Sequence, residues 1–152
     1  MPLAAIIGRD AFNSAVSQMA IGHYTHEKNP VLCAAGLATL TYIEEHNLLS
    51  HVQQLGQQTL QQLQAMQQQF PIIGDVRGLG LLLGVELVTD PQTKVRATTE
   101  AEAVMYAALR RGLSFKVTNG NTLLLLPPLT VTAQEMDTAL EILAAAFGDL
   151  AR

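Results

Sequence analysis

From Leu48 to Gln69 the chain spells out one long amphipathic helix, and this segment narrows the folds open to it more than any other. Leu48, Val52, Leu55, Thr59, Leu63 and Met66 recur at helical spacing and therefore share one side of a 3.6-residue helix. The opposite side, between Gln53 and Gln69, is almost entirely glutamine, a surface at ease in water. Such a helix has to bury its stripe against another layer. The rest of the chain must supply that layer.

Residues 3–7, LAAII, end at Gly8 and read as a short buried strand. Asp10 is placed to cap a short helix through about Met19, and the mixture of Gly, His, Tyr and Thr over residues 20–28 reads as loop. Asn29-Pro30 predicts a helix start, because asparagine accepts from the free first-turn amides and proline at the first helical position gives up no needed donor. That helix runs to about Glu45. Its small residues Ala34, Ala35, Gly36 and Ala38 predict burial against another backbone.

Phe70-Pro71 ends the glutamine helix. Leu79–Val88 reads as a strand or hairpin, and Asp90-Pro91 with Gln92 and Thr93 as a turn. Thr99 and Glu102 have capping-box spacing for a helix through Arg111, stopped by Gly112. Leu113–Val117 and Thr122–Leu126 read as two strands around a turn holding Asn119, Gly120 and Asn121. Thr132 and Glu135 repeat the capping-box spacing before a last helix, with Met136, Leu140, Leu143, Ala144 and Phe147 on one face. This order predicts an α+β fold, with helices packed on one face of a small, mainly antiparallel sheet.

With 152 residues, 49% hydrophobic and 14% charged, the chain has ample material for a core. The apolar share also suggests surfaces that face another domain or subunit. A net charge of -4 with no Lys/Arg cluster argues against nucleic acid or an anionic membrane as partner. Cys33 is the only cysteine, so no internal disulfide can form, and its Ala-rich setting predicts an inert buried thiol. Without a signal-type N-terminus or an apolar run long enough to span a bilayer, a cytoplasmic location is the expectation.

Three stretches can carry chemistry. Tyr24-Thr25-His26, just before Asn29-Pro30, sets a hydroxyl and free amides at a helix start, which suits either an anion site or a simple cap. Arg77 in DVRGLG can pair with Asp75 or reach an anion, and the glycines there lack the strand-then-helix setting of a nucleotide loop. The third is Gly120–Thr130, GNTLLLLPPLT, a strand closed by Pro127-Pro128. His23, His26, His46 and His51 show no metal-ligand pattern and read as solvated or capping residues. No serine has a nucleophile-elbow context, and no paired carboxylates suggest acid–base work.

Taken together, GHYTHEKNP at 22–30, GDVRGLGLLLGVEL at 74–87 and GNTLLLLPPLT at 120–130, behind the opening MPLAAIIGR, resemble the C-terminal part of a class III pyridoxal-phosphate-dependent aminotransferase of fold type I. The resemblance implies that residues 1–30 end the large cofactor-binding domain and residues 31–152 form the small C-terminal domain with its leading long helix. It assigns Thr25, with Tyr24 and His26 beside it, to the cofactor phosphate of the neighbouring subunit in a homodimer. The cofactor would be pyridoxal 5'-phosphate in the complete enzyme, and the substrates a small amine and an oxo acid. In that family the cofactor-bearing lysine precedes a segment like Met1–Arg9, so the chain is expected to lack it and to be inactive alone.

One departure bears on the reaction. Many members carry, within the strand matching 122–126, an arginine that forks onto a substrate carboxylate, and here that position is Leu124. Some relatives without the arginine are racemases, epimerases or ammonia-lyases, and Lys116 or Arg77 is left as the candidate substrate-binding cation. Aminotransfer is the first reading. Racemisation, epimerisation or ammonia elimination is the alternative, beside a non-catalytic dimerisation or binding module.

Overall fold

The computed structural model describes residues 3–9, 11–12, 25 and 27–150, in two compact units, Met1–Asn47 and Leu48–Arg152. In the first unit Asn29 caps helix α1 (Pro30–Glu45) as expected. Its side-chain oxygen accepts from the Val31 amide at 3.0 Å and the Leu32 amide at 3.4 Å. His46 closes the helix: its ring stacks on Tyr42 at 3.8 Å between centroids, and its Nδ1 lies 3.0 Å from the Tyr42 carbonyl oxygen.

Three expectations fail in this unit. LAAII forms no strand; residues 3–9 are irregular, and Ile6 and Ile7 are exposed. A strand needs a ladder partner, and the four described strands all lie in the second unit and pair with one another. Helix α1 has no buried residue, and Cys33 is exposed. Small residues permit close approach but contribute little apolar area themselves, so burial depends wholly on what comes to meet them. The helix expected from Asp10 to about Met19 falls outside the described residues, apart from 11–12.

The second unit holds the core. Helix α2 (Leu48–Gln69) buries the stripe its spacing predicts, with Leu48, Leu55, Thr59, Leu63 and Met66 out of water. Thr59 meets the cost of a buried hydroxyl by donating to the Leu55 carbonyl at 2.8 Å. Burying Leu63 completely stabilises the fold by about 2 kcal/mol. The glutamines face solvent, except that half-buried Gln67 donates to the Gly74 carbonyl at 3.1 Å.

Strands β1 (Ile73–Leu79) and β2 (Leu82–Leu87) form an antiparallel hairpin that begins at Ile73, not at Leu79 as the apolar run suggested. Gly74, Asp75, Arg77 and Gly78 are poor strand formers, and the burial of Ile73 and Val76 overrides them. Gly80, at φ +56, takes the tight turn between the strands.

Helix α3 (Thr98–Arg110) lacks the expected capping box. Its N-cap is Ala97, which is fully buried and donates its amide to the Leu87 carbonyl at 3.1 Å. This backbone tether sets the helix start and leaves Thr99 and Glu102 inside the helix. At the other end Gly112, at φ +95, donates to Leu109 and Leu113 donates to Ala108, both at 3.0 Å, which closes the last turn.

Strands β3 (Lys116–Thr118) and β4 (Thr122–Leu125) flank a turn in which Asn119 and Gly120 have positive φ. Strand β3 starts at Lys116 rather than at Leu113 as expected, because residues 113–115 find no ladder partner on β4. Helix α4 (Ala133–Leu150) follows its capping box: the Glu135 amide donates to Thr132 Oγ1 at 3.2 Å, and Glu135 Oε2 accepts from the Thr132 amide at 2.8 Å.

The sheet order is β1-β2-β4-β3, antiparallel throughout. Helices α2, α3 and α4 pack on one face, where Leu83, Val85, Leu87 and Leu123 meet Leu63, Val104, Leu143 and Phe147. This is the α+β architecture expected. Because side chains alternate along a strand, the other residues of the four strands point to the opposite face, and Leu79 and Leu82 stand exposed there.

Candidate functional site

Strand register places both candidate substrate cations in one line across that second face. Arg77 pairs with Gly84, Gly84 with Leu124, and Leu124 with Lys116. Three strand spacings separate the ends of the row, roughly 14 Å at the backbone. The next row along the strands runs Asp75, Glu86, Thr122, Thr118.

Arg77 is not free. Its Nη1 donates to Asp75 Oδ2 at 2.5 Å and to Glu86 Oε2 at 2.7 Å. Asp75 and Glu86 face each other across β1 and β2, where like charges repel, and the guanidinium lies between them. The hydrogen bond to Asp75, then that to Glu86, raises the arginine pKa above its already high ordinary value. Sequence reasoning identified Asp75 as a partner and missed Glu86, because that contact depends on register. Gly80 was the available signal, since a glycine turn there fixes the pairing.

Lys116 is exposed, with no ion pair among the described residues, and sits beside half-buried Leu124. Thr25 is exposed in a turn of the first unit; Tyr24, His23 and His26 lie outside the described residues. His51 is a structural tie, with Nε2 2.8 Å from the Val131 carbonyl oxygen. Among the described residues no group of three or more His, Cys, Asp or Glu is placed to hold a metal ion, and no helix is long and apolar enough to cross a membrane.

A lysine that holds pyridoxal phosphate covalently has to be shielded from water so that its amine can be tuned. Lys28, Lys94 and Lys116 are the only lysines and all three are exposed, with Lys28 in a turn and Lys94 just after one. None fits that role, and no covalent step is assigned to them.

Comparison with known proteins identifies the class. Residues 1–147 match the family model described as aminotransferase class-III. The chain is 49% identical, over all 152 of its residues, to the (R)-1-hydroxy-2-aminoethylphosphonate ammonia-lyase of Vibrio splendidus (strain 12B01), covering 32% of that protein. It is 38% identical over 151 residues to the leucine/methionine racemase of Thermococcus litoralis, covering 99% of this chain and 34% of the racemase. Among solved structures it superposes on an amine transaminase from an uncultivated Pseudomonas species in its PLP-bound form. That match has a TM-score of 0.82 at 34% identity and covers 88% of this chain and 31% of the other. The chain belongs to the class III aminotransferase family, whose members are pyridoxal-phosphate enzymes of fold type I. It spans about a third of the length of the curated relatives it matches.

Proposed function

We propose that this chain forms the C-terminal part of a pyridoxal-phosphate enzyme that removes ammonia from a small amine carrying an anionic head group. The observation that carries this reading is Leu124 with Lys116 beside it. Leucine offers no fork for the carboxylate of an oxo acid, which argues against aminotransfer. Lysine offers a point charge with three rotatable donors, a good match for the oxygens of a phosphonate. Neither of the two curated relatives described above is named an aminotransferase, and one is an ammonia-lyase of an aminophosphonate.

In this reading residues 1–30 close the large domain and residues 31–152 form the small one. Thr25, flanked by Tyr24 and His26, donates to the cofactor phosphate of the neighbouring subunit in a homodimer. Lys116 holds the substrate anion, while Arg77 stays with its two carboxylates. When bound, the cofactor supplies an electron sink for the bond broken next to the amine. The lysine that moves protons, and the aspartate at the pyridinium nitrogen, come from other residues of the complete enzyme. The 152 residues alone are therefore catalytically silent.

A chimaera tests this. The chain would replace the matching C-terminal segment of the Vibrio ammonia-lyase, and ammonia release from (R)-1-hydroxy-2-aminoethylphosphonate would be followed. We expect turnover, and K116A should lower kcat/KM about 10- to 100-fold, the worth of one hydrogen bond to a charged group. Loss of optical activity from an amino acid without ammonia release would favour racemisation. Glutamate formed from 2-oxoglutarate would restore the aminotransferase reading.

A further inference from the structure

We infer that a second site, independent of the cofactor, lies between the end of β4 and the start of α4 and takes a small molecule with an apolar body and a cationic amine head. A cavity of about 410 Å³ opens there, within the size range of small-molecule pockets. Phe115, Leu125, Val131, Met136 and Leu140 help to form its walls, and Ser114 and Glu135 are its only polar side chains.

The walls are held from several directions. Met136 belongs to a small separate core with Leu55 and Leu81. The Val131 carbonyl is tied to His51 on α2 at 2.8 Å. Pro127 and Pro128 line the same cavity where the chain leaves β4. A ligand would therefore meet a largely formed pocket, which keeps the ordering cost of binding low.

Charge selects the ligand. Glu135 is the only charged residue lining the cavity, and no cation lines it. The capping box already fixes this side chain, and both of its bonds from Thr132, amide and hydroxyl, fall on Oε2 at 2.8 Å. Oε1 has no donor among the described residues. A carboxylate held in place with one oxygen open, at the edge of an apolar cavity, complements an ammonium group attached to a hydrocarbon. None of Thr25, Arg77 and Lys116 lines this cavity.

The test uses the chain itself without cofactor, so its result is independent of the lyase reading. Phenethylamine and its neutral isostere 2-phenylethanol would each be titrated while the Met136 methyl resonance is followed. Saturable shifts are expected, with phenethylamine binding about fivefold more tightly, the scale of one exposed ion pair. E135Q should erase that preference and leave the fold intact, because glutamine also serves at this capping-box position. A139F, which fills the cavity, should abolish both shifts. Equal affinities in the unaltered chain, or no saturable shift, would overturn the inference. So would a Met136 signal that moves with protein concentration alone, which would mean that a second copy covers the cavity.

Discussion

Thr132 and Glu135 show how far a pair of residues can be read alone. Their hydrogen bonds hold the Glu135 carboxyl below its ordinary pKa, first through the Thr132 amide and then through its hydroxyl. A lowered folded-state pKa means that the stabilisation is present above the ordinary carboxylate range and is lost as pH falls through the lowered value. T132A should cost about 1 kcal/mol near neutral pH. The difference in Tm between T132A and the unaltered chain should shrink as the solution is acidified. Glycines divide in the same residue-by-residue way. A Cβ on Gly56 would run into the backbone of Gly80 at the hairpin turn, whereas one on Gly148 meets nothing within 4 Å. G56A should destabilise by about 1–3 kcal/mol. G148A, in helix α4, should stabilise by about 0.5–1 kcal/mol. Chemical denaturation of the two variants checks both signs.

At the scale of elements, the difference between the two candidate capping boxes is instructive. Thr132-x-x-Glu135 caps α4, yet Thr99-x-x-Glu102 does not cap α3, although the spacing is the same. The second fails because Ala97, pinned to Leu87, has already set the helix start. Asn121 works in the same corner. It is buried, its Nδ2 donates to the Leu87 carbonyl at 2.8 Å, and its own carbonyl accepts the Leu87 amide at 2.8 Å. N121A should cost about 0.5–1.5 kcal/mol, the net worth of one hydrogen bond, since the Leu87 carbonyl keeps the Ala97 amide as donor. The loss should be concentrated in hydrogen-exchange protection at the end of β2 and the start of α3. Helix α2, strand β4 and α4 were legible because apolar spacing and turn residues agree locally, whereas β3 was legible only over Lys116 and Val117. Strand β1 was legible only in part, since its Gly, Asp and Arg content hides a strand that register with β2 enforces. The same is true of the candidate site: Lys116 and Arg77 could be picked out as cations, but that one is free and the other neutralised by Glu86 is a fact of register.

For the whole molecule, the first unit poses the main physical question. Val31, Leu37 and Leu40 on α1 are each more than 60% exposed, an apolar display that a helix in water does not usually keep. The isolated chain should therefore self-associate through α1, and sedimentation velocity over a hundredfold concentration range should show a mass that rises with concentration. A constant monomer mass would contradict this, and L37E should lower the association without changing the fold of Leu48–Arg152. The amino-acid sequence by itself determined helices α1 to α4, the caps of α1 and α4, the turns of the second unit and the family, because each rests on residues close together in the chain. Tertiary structure alone decided the start of β1, the N-cap of α3, the fate of Arg77 and the placing of Lys116 beside Leu124. Those depend on which strands lie side by side, and strand pairing joins residues whose separation along the chain carries no local signal.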